Sequence, residues 1–259
     1  GDVDLVNLAT NSIRFDAARN ISPNADLRND PGDSLWVDAV PVRTGSVLQE
    51  EPRMVVRMRA NPVFDGVRVL PSGFSQNGNI ITGSVLGDSV YTAQGTLVDH
   101  RYSFDLPDTG FFFPGDVIHY YYEAYDNMAG DIGHTILPGD TTGFASFDHD
   151  MQFPADYICR GLPTIKSTSP GDQPSILFWN DGGNNGADEW YYALKAANLH
   201  EFEDYDVYYT NDQTAGVGNG LGGRATGAVL DGYDIMLYSA GNSLVYVLGN
   251  GDYETDPSS

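Results

Sequence analysis

Between Val117 and Asn127 the chain reads VIHYYYEAYDN, and side chains of this size at a spacing of two leave few folds open. Successive residues of a strand point to opposite faces. Ile118, Tyr120, Tyr122 and Ala124 are therefore expected to enter a core, with His119, Tyr121, Glu123 and Tyr125 pointing outward. The same period recurs from Met54 to Ala60, where Met54, Val56, Met58 and Ala60 face one way and Val55, Arg57 and Arg59 the other. An apolar face on a period of two marks a half-buried strand. Further runs, LWVDAVPV, FDGVRVL, NIITGSVL, SVYTAQGTLV and HRYSFDL, are separated by Gly, Asn, Asp or Pro. Repeated at about ten residues, such runs predict an antiparallel β-sandwich.

The rhythm changes after Pro174. SILFW (Ser175 to Trp179), DVYY (Asp206 to Tyr209) and DIMLYSAG (Asp234 to Gly241) alternate with a helix-like segment and a glycine-rich loop. Trp190, Tyr191, Leu194 and Ala197 fall on one helical stripe, Asp188 is the expected N-cap, and Glu189 lies where the positive end of the helix dipole favours an acid. Strand, helix, strand, helix, strand predicts a parallel sheet. The expected organisation is a lead-in over 1–33, a sandwich over 34–155, a linker over 156–173 that starts near Cys159, and an α/β domain over 174–259. That last domain, Rossmann-like or flavodoxin-like, has fewer strands than such sheets usually carry, so the chain is expected to be a fragment of something longer.

Charge narrows the partners. Against 13 Lys and Arg stand 36 Asp and Glu, a net charge of −23. Nucleic acid and anionic membranes would be repelled, and no run approaches the roughly 20 apolar residues of a membrane-spanning helix. Acid on turns suits Ca2+, a saline medium, or solubility alone. Cys159 is the single cysteine, which excludes an internal disulfide framework and a cysteine-based zinc cluster. Together with 16 Tyr, 14 Pro and 30 Gly this composition fits an extracellular or cell-surface β-rich protein. Gly1-Asp2-Val3-Asp4 is no signal peptide, so an export signal would already have been removed.

Phe113-Pro-Gly-Asp-Val-Ile-His-Tyr-Tyr-Tyr-Glu-Ala-Tyr-Asp-Asn127 resembles the immunoglobulin-like and fibronectin type III-like modules of secreted bacterial proteins, in which a Pro-Gly turn leads into a tyrosine-rich strand ending in Ala-x-Asp-Asn. The likeness covers Pro31 to Phe153. Trp179 to Gly183, Tyr205 to Val207 and Tyr233 to Asn242 are similar to the amidotransferase-like α/β domains that follow such modules, including relatives of gingipain-type and other exported peptidases. Members with that activity use a cysteine, and this chain's only cysteine lies in the expected linker, so the catalytic chemistry does not carry over.

Ligands bind at the carboxyl ends of parallel strands in open α/β sheets. Asn180, Asp181, Asp212, Ser239 and Asn242 fall there and form the candidate ligand site. For Ca2+ the candidates are Asp126, Asn127 and Asp131 after the tyrosine strand, and Asp181, Asn184, Asn185 and Asp188 in the first α/β loop; neither set has EF-hand spacing. Gly218 to Gly223 fits G-x-G-x-x-G but follows the second strand, where a flexible loop is the better reading. Tyr238-Ser-Ala-Gly241 lacks the first glycine of a nucleophile elbow. Asp148-His149-Asp150 is read as an exposed turn, and Arg53, Arg57, Arg59 and Arg68 as cross-strand ion-pair partners.

These features predict a non-catalytic extracellular or cell-surface module acting in structural assembly, adhesion or spacing, with protein partners or self-assembly. One alternative is the accessory and leading part of a secreted hydrolase, a peptidase, whose catalytic residues lie beyond Ser259. Another is a carbohydrate-binding module with Tyr121, Tyr125 and Trp190 as its platform.

Overall fold

A computed structural model describes residues 13–17, 35–107, 110–113, 115–147, 153–154, 157–160, 174–180, 187–209 and 232–239. Strand dominates them. One antiparallel sheet has the order β1 (Ile13–Ala17), β2 (Leu35–Pro41), β8 (Leu97–Phe104), β7 (Asp88–Tyr91). A second is ordered β10 (Asp131–Leu137), β9 (Val117–Met128), β4 (Arg53–Arg59), β6 (Ile80–Leu86), β5 (Ser75–Asn77). Two short strands, β3 (Val47–Leu48) and β11 (Ile158–Arg160), also pair with β9.

Two sheets with apolar inner faces make a sandwich because each can only bury its stripe against the other. Leu35, Val37 and Phe104 from the first sheet pack with Met54, Val56, Met58, Ile81, Ile118, Tyr120 and Tyr122 from the second. The alternation read in β4 and β9 is therefore the core itself: Met54, Val56, Met58, Ala60, Ile118, Tyr120, Tyr122 and Ala124 are all buried. The β9–β10 hairpin turns at Ala129 and Gly130, both at positive φ, with Asn127 Oδ1 accepting from Gly130 N at 2.8 Å. Positive φ at both central residues matches the twist of paired strands.

Several expectations need correction. Residues 13–17, assigned to a lead-in, pair with β2, and 158–160, assigned to the linker, pair with β9. FDGVRVL forms no strand. Its backbone turns back, with Val67 N and Arg68 N donating to Phe64 O, and this sends the Arg68 side chain inward. SVYTAQGTLV holds a tight turn closed by Gly95 N to Thr92 O at 2.8 Å, so it splits between β7 and β8. His119 does not face solvent. It is fully buried because Phe144, Phe147 and Phe153 pack over this face of the second sheet, with the Phe147 ring 4.3 Å and the Phe153 ring 5.1 Å from the imidazole and Phe144 O 3.1 Å from Nδ1.

A third sheet is small and parallel, ordered β13 (Tyr205–Tyr209), β12 (Ile176–Asn180), β14 (Ile235–Ser239), with α1 (Ala187–Ala196) after β12. A separate α/β domain over 174–259 is not supported: among the described residues there, three strands and one helix stand beside antiparallel sheets of four strands and of seven. The helix begins at Ala187, so Asp188 sits in its first turn and is not the N-cap.

Beneath the sandwich lies an ion pair. The Asp116 carboxylate, fully buried, accepts from Arg68 Nη1 at 2.7 Å and Nη2 at 3.0 Å, from Asn61 N at 2.6 Å and from Phe113 N at 2.7 Å. Arg68 also donates to Phe111 O and lies 4.9 Å from the centre of the Phe113 ring. Burial pushes the Asp116 carboxyl up from the carboxylate range, and Arg68 and the two backbone donors pull it back. Removing one partner of a buried pair strands the other charge, so Arg68→Met is expected to cost about 3 to 5 kcal/mol. Urea unfolding of the variant against the parent checks this, and the double variant Arg68→Met with Asp116→Leu should recover part of the loss.

Candidate functional site at the parallel-strand ends

Asn180 is the last residue of the central strand. It stands in register with Tyr209 on one side and Ser239 on the other, all three strands running the same way. The chain leaves β12 for α1 and β13, then returns on the far side of β12 as β14, so the strand order reverses at β12. That reversal is where an open sheet leaves a crevice at its carboxyl ends.

Period-two alternation places Asn180 on the face of Phe178, and Ser239 on the face of Leu237. Phe178, Tyr191, Leu194 and Tyr205 form the core between this face and α1, with Trp190, Val207 and Leu237 packed against it. Asn180 is 1% exposed and Ser239 5%. The Asn180 Oδ1 is buried without a hydrogen-bond partner among the described residues. An unmet buried acceptor costs about 1 to 3 kcal/mol. The pair offers an amide and a hydroxyl, groups that bind and orient a ligand; an amide does not move protons at neutral pH.

The opposite face is aromatic. Trp179 lies 4.6 Å from the Tyr238 ring and 6.1 Å from the Tyr208 ring, and buried Asp206 accepts from Tyr233 Oη at 2.6 Å. Nothing in the spacing of the sequence signals this Tyr233–Asp206 contact, because the two belong to different strands' approaches.

Of the other ligand candidates, Asp181, Asp212 and Asn242 lie outside the described residues. So do Asn184 and Asn185, the Gly218 to Gly223 loop, and Asp148-His149-Asp150. Asp188 is half-buried in the first turn of α1, beside Glu189. The other Ca2+ set is brought together, but around a guanidinium. Arg43 Nε and Nη2 donate to the two oxygens of buried Asp126 at 2.9 and 2.8 Å, and Nη1 donates to Asp131 Oδ2 at 2.6 Å. Asn127 caps the hairpin turn. Hydrogen bonds to the Asp126 carboxylate raise the Arg43 pKa. Among the described residues no group of three or more His, Cys, Asp or Glu side chains is placed to hold a metal ion.

Tyr121, Tyr125 and Trp190 are each half-buried and each has an aromatic neighbour. Tyr121 meets Phe144 edge-on at 4.8 Å, Tyr125 stacks on His134 at 4.3 Å, and Trp190 packs 5.8 Å from Phe178. Of the arginines, Arg59 pairs with Glu201 and Arg68 with Asp116, while Arg53 reaches Glu50 at 3.4 Å. These partners lie in loops, not on the neighbouring strand positions that cross-strand pairing requires.

No family model, no curated protein and no solved structure matches the chain.

Removing the Tyr233 hydroxyl takes one donor from a buried carboxylate. Tyr233→Phe is expected to cost about 1 to 3 kcal/mol. Chemical denaturation monitored by tryptophan fluorescence, to which Trp179 reports directly, measures the loss.

Proposed function

We propose that this chain acts outside the cell or at its surface as a non-catalytic module of structural assembly, adhesion or spacing, engaging protein partners. The observation that carries this reading is the joint between the sandwich and the three-stranded sheet. Arg59, at the end of β4, donates to Glu201 Oε1 at 2.7 Å, with both side chains mostly buried. Its guanidinium lies 5.3 Å from the centre of the Phe202 ring. Phe202 in turn fills the space beside Gly115, where a Cβ would stand 2.8 Å from the ring. Gly115 also has φ +79, so any other residue there is both strained and obstructed.

Ion pair, cation–π contact and ring socket meet at one place. Burial, followed by the charge on Glu201, pushes the nearby Tyr205 phenol well above its ordinary range. A joint this closely fitted supports spacing at a fixed distance. The acidic surface supports a soluble setting free of nucleic acid and anionic lipid. Likeness to the modules of secreted bacterial proteins, carried by the residue patterns at Phe113 to Asn127 and Tyr233 to Asn242, supports the extracellular setting.

A second reading, the leading part of a secreted hydrolase with catalytic residues beyond Ser259, is favoured by one feature. Asn180 and Ser239 stand buried where such sheets bind ligands. The gene sequence downstream decides: a His and then a Cys at the end of a later strand would replace the first reading with the second.

The spacer reading requires sandwich and parallel sheet to unfold together. Calorimetry of the parent should show one transition. Glu201→Ala, which strands Arg59, should lower stability by about 2 to 4 kcal/mol or split the transition in two. Two independent transitions in the parent would remove the spacer reading.

A further inference from the structure

The sandwich carries a cleft of about 610 Å³ that the assembly reading does not use. It lies where the end of β6 meets the segments at Pro71 to Phe74 and at Asp105 to Pro107. One wall is the Phe74 ring, and the way β6 receives that ring is specific. A Cβ at Gly83 of β6 would stand 2.4, 2.5 and 2.7 Å from Cγ, Cδ1 and Cδ2 of Phe74. Three ring carbons at such similar distances mean that the ring lies face-on over the glycine. Gly83 is not at positive φ, so its backbone does not demand glycine; the ring does. Phe111 meets Phe74 edge-on at 5.2 Å and fixes its tilt. One face of the ring is thus held against β6, and the half-buried side chain turns its accessible part to the cleft.

Polar groups of both signs stand around this ring. Arg53 and Ser84 line one part of the cleft, with Arg53 Nη1 donating to Ser84 Oγ at 3.1 Å and Nη2 reaching Glu50 Oε1 at 3.4 Å. Exposed Asp105 lines another part. An anion in the cleft would meet the Asp105 carboxylate, and a cation would meet the Arg53 guanidinium. A neutral ligand rich in hydroxyls suits both, because each hydroxyl can donate to a carboxylate or accept from a guanidinium.

We propose that this cleft binds a neutral carbohydrate, with one pyranose ring stacked on Phe74 and its hydroxyls bonded to Arg53 and Asp105. The face of an aromatic ring is negative. The C–H groups on one side of a pyranose carry partial positive charge, so the two surfaces attract as well as shed water. Hydrogen bonds to ionised partners are the stronger kind, and here both partners are ionised. The volume lies within the range of ligand-binding clefts, about 300 to 1,000 Å³. Tyr121, Tyr125 and Trp190, the platform expected from the sequence, do not line this cleft. The inference uses no residue of the joint at Arg59 and Glu201, and so stands apart from the spacer reading.

The test titrates the full chain calorimetrically with cellohexaose, xylohexaose, mannohexaose and chitohexaose, and with hyaluronan and heparin fragments as anionic controls. At least one neutral oligosaccharide should bind saturably, and the anionic fragments should not. Phe74→Leu keeps apolar volume over Gly83 but removes the ring, and should weaken binding about three- to tenfold. Asp105→Ala, at an exposed position, should weaken it about tenfold or more. Saturation-transfer NMR should find the strongest contacts along one side of the bound sugar ring. Should Phe74→Leu unfold, Asp105→Ala decides alone. No saturable binding of any neutral oligosaccharide, binding of the anionic fragments at equal strength, or parent-strength binding by Asp105→Ala would overturn the proposal.

Discussion

The Asp116 carboxylate is the constraint on which the sandwich depends. It is the last residue of the Pro-Gly-Asp turn and stands directly before β9, the strand to which β3, β4, β10 and β11 all pair. Its oxygens accept from Asn61, Phe113 and both terminal nitrogens of Arg68, so one group fixes the end of β4, the turn after it and the start of β9. A charge removed so fully from water is tolerable only with that many donors. The Phe64 and Phe113 rings, stacked at 4.8 Å, close the site from water. Neither aromatic packing nor the ion pair would hold that corner alone: the rings bring no direction, and the charges bring no shielding.

The other arginines repeat this theme at lower burial. Arg43 clasps the β9–β10 hairpin through Asp126 and Asp131, and Arg101 ties β8 to Asp38 of β2 while lying 4.1 Å from the Trp36 ring centre. In a chain with 13 basic residues among 36 acids, Arg is well suited to such use. Its planar fork binds both oxygens of a carboxylate and its face stacks on aromatic rings, which an ammonium does not do. The few cations so used are far outnumbered by acids, which leaves a net charge of −23.

How much of this could be read from the sequence varies with the range of the cause. The inward residues of β4 and β9 are legible because a strand's two faces follow from its own period. His119 is not, since its burial comes from phenylalanines 25 to 34 positions further along, folded over a face that the local pattern marks as outward. FDGVRVL alternates like a strand, yet Arg68 in its middle is claimed by a carboxylate 48 residues away, and the tertiary contact overrides the local preference. At the parallel-strand ends the sequence places Asn180 and Ser239 correctly at the same level of the sheet. It says nothing of the unmet amide oxygen of Asn180, which depends on three strands meeting. Asp126 and Asp131 read as metal ligands because spacing reports which acids converge and not which cation arrives between them.

The Gly115 socket has a mechanical meaning. Phe202 and Glu201 seat against the turn that begins β9 and against the end of β4, two strands that are neighbours inside the second sheet and not at its margin. A load applied through the parallel sheet would enter the sandwich across seven cross-strand residue pairs joining β4 and β9, Arg53 through Arg59 against Glu123 through Val117. Bonds arranged side by side share a shearing force, whereas those at a frayed edge yield one after another. The joint thus seats on inner strands of the second sheet and not on its edge.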